Sequence, residues 1–141
     1  MRAVVSRVTE AAVLVDGQVV GELDRPGLLV LLGVTHDDGC EQAETMARKL
    51  HELRILRDER SVADTGAGVL VVSQFTLYGS TRKGRRPSFT AAARPEHAEP
   101  LIDEVVARLR ARGVSVATGR FGATMAVHSV ADGPFTVLLE V

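Results

Sequence analysis

An apolar run, Val69 to Val72, stops abruptly at Ser73, Gln74, Phe75 and Thr76. A buried hydroxyl or amide costs roughly 1–3 kcal/mol unless it is hydrogen-bonded. Polar groups massed where a core strand ends therefore either satisfy neighbouring backbone or line a site at the strand's edge. In the second case Ser73 and Thr76 are candidate nucleophiles, and Phe75 supplies an aromatic wall. A hydroxyl nucleophile needs an adjacent base, and no histidine or carboxylate lies beside Thr76 in sequence. A Ser/Thr hydrolase would have to recruit His128 and Asp132 from far along the chain. His36, His51 and His97 are scattered and read as surface or capping residues.

Two further stretches carry chemistry of another kind. Arg82, Lys83, Arg85 and Arg86 fall within "STRKGRRPSF", which contains no acid. Such a loop is either a solvated surface or a phosphate-binding segment, because Lys and Arg neutralise a nucleic-acid backbone whatever its sequence. Near the end of the chain, Gly133 and Pro134 stand inside "ADGPFTVLLEV", against the last apolar run. Proline donates no backbone hydrogen bond and glycine weakens a strand. The pair is either a turn feeding the final strand or a stretch of backbone that is itself functional.

The usual signatures of other chemistries are missing: no G-x-S-x-G, no P-loop, no H-E-x-x-H, no G-x-G-x-x-G opening a helix. Cys40 is the one cysteine, which excludes an internal disulfide and a thiolate metal cluster. It reads as a small buried or half-buried apolar residue. No metal site and no cofactor are expected. A net charge of −1, with 45% hydrophobic and 25% charged residues, is the balance of an ordinary folded domain. No apolar run approaches the ~20 residues of a membrane span, and Arg7 and Glu10 interrupt the N-terminal stretch where a signal peptide would be apolar. The expected location is cytoplasmic.

The elements that must position these residues follow from periodicity. "RAVVSRV" and "AAVLVDGQVVGEL" read as a strand meander, with Asp16-Gly17 as a hairpin turn. Gly27 to Val34 reads as a strand buried on both faces. From Asp38 to about Leu56 the apolar residues take a helical spacing, with Asp37 or Asp38 as cap. "RDERSVADTGAG" reads as a loop and "GVLVVSQFTLYG" as a second buried strand. A helix starts at Pro95 and stops at Gly113, and "VSVATG", "TMAVHSV" and "FTVLLEV" read as three closing strands. The expected architecture is α+β, a mixed sheet covered by two main helices, in one domain over residues 1–141.

The two polar motifs, "SQFTL" at Ser73 to Leu77 and "DGPFT" at Asp132 to Thr136, resemble the signatures of the D-aminoacyl-tRNA deacylase family. Further matches run along nearly the whole chain: Arg7-Val8, Val15 to Gly17, "KGRRPSF" at Lys83 to Phe89, and "GRFGATM" at Gly119 to Met125. The chain departs from the family pattern at Ala131, where asparagine is usual, and at Ser6, where glutamine is usual. The loop before the SQFTL strand is also short.

The resemblance implies hydrolysis of the ester that joins a D-amino acid, or glycine, to tRNA, which is chiral proofreading in translation. It implies catalysis at Ser73, Gln74, Phe75 and Thr76 through backbone amides, with the adenosine 2′-hydroxyl assisting the attacking water. Substrate-binding roles would fall to Gly133, Pro134, Arg7, Phe89 and Met125, and tRNA binding to Arg82, Lys83, Arg85 and Arg86. It further implies a homodimer in which a cis Gly133-Pro134 peptide enters the partner's site. A small RNA- or ligand-binding module without chemistry is the reading from a different class.

Overall fold

Strand β1, Arg2–Val15, organises the sheet. Asp16 and Gly17 turn the chain with φ of 51° and 77°, the pair of positive φ values that a type I′ hairpin requires. Strand β2, Gln18–Leu23, then returns along the C-terminal half of β1, and β3, Gly27–Gly33, continues along its N-terminal half. The computed structural model describes residues 1–141.

Strand β4, Gly68–Ser73, lies parallel to β3, and β5, Val116–Thr118, lies parallel to β4. Strand β6, Ala126–Glu140, runs antiparallel to β1 along nearly its whole length. Val4 pairs with both Leu31 and Leu138, and Leu14 with both Val19 and Ala126. Strand β6 therefore occupies the side of β1 opposite β2 and β3, and it forms one edge of the sheet. The three expected closing strands are two, because β6 fuses "TMAVHSV" and "FTVLLEV" across the Gly-Pro pair.

Alternation along β3 and β4 explains burial on both faces. Leu28, Val30, Leu32, Val69 and Val71 pack with Met46, Leu50, Val105 and Leu109 of the helices. Leu29, Leu70 and Val72 point the other way, onto Val8, Ala11 and Val13. In β1 the helix-facing residues are Ala3 and Val5, yet Ala11 and Val13 face the opposite side. The register slip between Val8 and Glu10 makes this exchange of faces, since one extra residue reverses the alternation. The sheet also curls until β2 meets β5. A Cβ on Gly21 would lie 2.1 Å from the Thr118 carbonyl oxygen, so only glycine permits the approach.

Helix α1, Cys40–Glu52, is shorter than its periodicity suggested, because Leu53 is already extended. Its cap is Gly39, whose N–H donates to Gln42 Oε1 at 2.9 Å. Asp38 instead accepts the Thr35 N–H at 2.8 Å. Cys40 is exposed, not buried or half-buried, because it opens the helix on the solvent side. The polar stretch read as a loop contains a short helix α2, Val62–Thr65, capped by Ser61. Helix α3, Pro95–Ala111, has the expected start and ends before Gly113 at φ 82°. Glu44 of α1 ties the two long helices together, bonding Arg108 at 2.5 Å and also Arg112.

Candidate functional site

Strand β4 ends at Ser73, and the chain leaves it in a 3₁₀ turn over Phe75–Tyr78 rather than continuing as a strand. Here the chain meets a cavity of about 630 Å³. Its floor is Leu32, Val34 and Val72, and Ala98 and Ile102 of α3 form one wall. Phe121 and Met125 come from the segment leading into β6, Val127 comes from β6 itself, and Ser73, Gln74, Phe75 and Phe89 complete the rim. Apart from Ser73, Gln74 and Arg94 the lining side chains are apolar, so a ligand's polar end has few partners and its orientation is correspondingly specified.

The turn is tied down on three sides. Gln74 N–H donates to the Leu32 carbonyl at 2.8 Å. Arg2 of β1 places its guanidinium 4.7 Å from the Tyr78 ring centroid and donates from Nη1 to the Leu77 carbonyl at 3.2 Å. Burial pushes the Tyr78 phenol up to about 12, so it stays neutral. Phe89 packs edge-on against Phe75, with centroids 5.2 Å apart. A Cβ on Gly79 would sit 2.8 Å from the Phe89 ring, so that glycine makes the aromatic contact possible. Thr76 is exposed and does not line the cavity; its Oγ1 accepts Gln74 Nε2 at 2.5 Å. As opening residues of a helical turn, Phe75 and Thr76 have no acceptor for their amides within it.

Gly133-Pro134 is neither a turn between two strands nor a cis peptide. Ser6 pairs with Thr136 and Val8 with Ala131, so Arg7 alone faces Asp132 to Phe135. The segment bulges out of the middle of β6, with Gly133 at φ 114° and every peptide bond trans. The cis expectation is thereby corrected: glycine at positive φ absorbs the extra residues without a change of isomer. Arg7 Nε donates to the Asp132 carbonyl at 2.9 Å, and its guanidinium lies 5.0 Å from the Phe135 ring centroid. Ser6 Oγ and Thr136 Oγ1 pair at 2.9 Å below the bulge. Gly133 and Pro134 are exposed and do not line the cavity of their own chain.

A model of the family described as D-Tyr-tRNA(Tyr) deacylase matches residues 4–140. The chain belongs to that family. Proteins named D-aminoacyl-tRNA deacylase from Kineococcus radiotolerans and Streptomyces coelicolor are 64% and 63% identical to it, covering 99% and 100% of both chains. A solved structure titled "c-Myc DNA Unwinding Element Binding Protein" superposes with a TM-score of 0.92 at 39% identity, over 100% of this chain and 99% of that one. Another, of a probable eukaryotic D-amino acid tRNA deacylase, shares the fold with a TM-score of 0.88 at 19% identity, over 99% and 98% of the two chains.

Within this deacylase-family chain, Ser73, Gln74, Phe75, Phe89 and Met125 meet at one cavity, whereas Arg7, Gly133 and Pro134 gather at the β6 bulge. Arg82, Lys83, Arg85 and Arg86 are exposed and form no ion pair, on a loop closed by paired Ser80 and Ser88. His128 lines a separate depression with Glu10 and Glu22 and bonds neither Ser73 nor Thr76, and Asp132 is engaged by arginines. The hydrolase triad is therefore not assembled in this chain. Two residues escaped the sequence reading. Arg94, directly before Pro95, is the single charged side chain lining the cavity. Arg57 reaches Asp132 with Nη2 at 2.5 Å from Oδ1, and together with Arg7 it holds that carboxyl below the usual carboxylate range. Nothing in the polar loop around Arg57 signals this contact.

Proposed function

We propose that this chain hydrolyses the ester joining a D-amino acid to the terminal adenosine of tRNA, releasing the amino acid and free tRNA. The full-length identity to proteins named D-aminoacyl-tRNA deacylase carries the reading. The cavity of about 630 Å³ supports it, being within the range that encloses a small ligand such as an aminoacyl-adenosine. The amides of Phe75 and Thr76 stabilise the developing oxyanion, a contribution of about 3–4 kcal/mol when such donors are preorganised. The adenosine 2′-hydroxyl assists the attacking water. The Thr76 hydroxyl is not the nucleophile, since it is engaged by Gln74 and has no base beside it.

Selection at the α-carbon comes from backbone. Two copies of the chain associate, and the exposed Gly133-Pro134 bulge of one is presented to the cavity of the other. Its carbonyls take the α-amino group of a D-aminoacyl substrate, while an L-side chain meets the bulge. Each ~1.4 kcal/mol of that clash gives tenfold rejection. Glycine is achiral and passes, so glycyl-tRNA is a second substrate. Arg82, Lys83, Arg85 and Arg86 contact acceptor-stem phosphates, and the work is done in the cytoplasm.

The deciding experiment compares hydrolysis of D-tyrosyl-tRNA and L-tyrosyl-tRNA by the purified chain. Strong preference for the D-substrate is expected. Equal rates on both, or no hydrolysis of either with tRNA bound, would replace the reading with an unselective esterase or a binding module.

A further inference from the structure

We infer that Arg57 is a positioning residue for stereochemical selection, holding the Gly133-Pro134 bulge in register from outside its own strand. The inference rests on the reading that this bulge meets the substrate. Ala131, which precedes the bulge on β6, has no polar side chain with which to brace it. The grip falls instead on Asp132, whose side chain is only 14% exposed. Arg7 Nε lies 3.3 Å from Oδ2 on one side. Arg57 approaches from the other with two contacts, Nη2 to Oδ1 at 2.5 Å and Nε to Oδ2 at 3.2 Å. That two-pronged geometry fixes the plane of the carboxylate as well as its position.

The backbone that delivers Arg57 is unusual. Asp58 and Glu59 are consecutive non-glycine residues at φ 59° and 53°. The turn is closed by Leu56 N–H to the Arg60 carbonyl at 2.9 Å and Arg60 N–H to the Arg57 carbonyl at 3.3 Å. Two left-handed residues in succession are a strained way to build a surface turn, and such strain persists where the surrounding contacts enforce it. The contact made at its first residue is the grip on Asp132. An ideal Cβ on Gly133 would lie 2.6 Å from Arg7 Nη2 and 4.0 Å from Arg57 Nη2, so both guanidinium groups flank the glycine. With Arg57 gone, Asp132 keeps Arg7 alone, on its carbonyl and on Oδ2, and its carboxylate loses the fork that fixes its plane beside Gly133. Because the Arg57 side chain is 66% exposed, its loss barely touches global stability.

The test uses the full chain with Arg57→Ala, Arg57→Lys and, as a control on the underlying reading, Gly133→Ala. Melting temperature and kcat/KM on D- and L-tyrosyl-tRNA are measured for each. Arg57→Ala is expected to melt like the parent while its D-over-L ratio falls about tenfold, the scale of one charge-assisted hydrogen bond. Arg57→Lys retains the charge without the fork and should fall between the two. A parental ratio in Arg57→Ala beside a lowered ratio in Gly133→Ala overturns the role of Arg57 and leaves the bulge reading intact. An unaltered ratio in Gly133→Ala overturns the bulge reading and this inference with it. Equal losses on both substrates, accompanied by a lower melting temperature, would make Arg57 merely structural and also overturn it.

Discussion

Gly133 stands so close to Arg7 that a Cβ on the glycine would lie 2.6 Å from the arginine's Nη2. Its φ of 114° is also one that L-residues rarely adopt. Gly133→Ala therefore meets two obstacles, a strained backbone and a displaced guanidinium. Strain of this kind costs of order 1–3 kcal/mol, and denaturant unfolding should show a loss of that size. Parental stability would mean that Arg7 swings aside freely and does not fix the bulge.

Thr76 presents a hydroxyl to solvent, but Gln74 Nε2 donates into it and the side chain lies outside the cavity lining. Thr76→Ala removes the hydroxyl and keeps the amide. The deacylation rate should stay within several-fold of the parent. A fall of ~10³-fold in a folded variant would instead restore the hydroxyl as nucleophile.

The basic loop offers a test by salt. Arg82, Lys83, Arg85 and Arg86 are exposed and form no ion pair. If they neutralise tRNA phosphates, replacing Arg85 and Arg86 by Ala should weaken tRNA binding and lower the slope of log affinity against log salt by about 2. The D-over-L ratio should not move. An unchanged slope would take the loop out of the RNA interface.

What was legible in the sequence was local or repeated. Asp16-Gly17 announced a hairpin because a type I′ turn is specified by its own two residues. Pro95 and Gly113 bounded α3 for the same reason. The cavity residues Ser73, Gln74 and Phe75 were legible because polar groups interrupt an otherwise buried strand. The continuity of β6 was not. Gly-Pro argues locally for a break, and the strand continues because β1 pairs with it on both sides of the bulge. The grip of Arg57 on Asp132 joins residues 75 positions apart, and no periodicity encodes such a contact.

Acid should loosen the packing of α1 on α3. Hydrogen bonds from Arg108 and then Arg112 hold the Glu44 carboxyl below its ordinary range. A carboxylate whose pKa is lower folded than unfolded adds stability above its unfolded pKa, and that stability is lost as pH falls through the folded value. Unfolding measured between neutral pH and the acid side of the carboxylate range should show this loss, and Glu44→Gln should flatten it. Identical acid limbs in parent and variant would show that the pair contributes nothing to folding.

The edge strand supplies the last test. Strand β6 pairs with β1 on one side, and its residues Val127, Val130, Phe135 and Leu138 leave large apolar side chains exposed, Leu138 at 75%. An unpaired edge with exposed apolar residues invites association with another chain. Under the proposed function that chain is a second copy, and its bulge completes the cavity. Leu138→Lys places a charge on this surface without touching the core, so the variant should keep its fold. It should also sediment as a monomer and lose most D-aminoacyl-tRNA hydrolysis. Activity that persists in a demonstrably monomeric variant would mean that each chain selects its substrate alone, with the bulge playing no part across the interface.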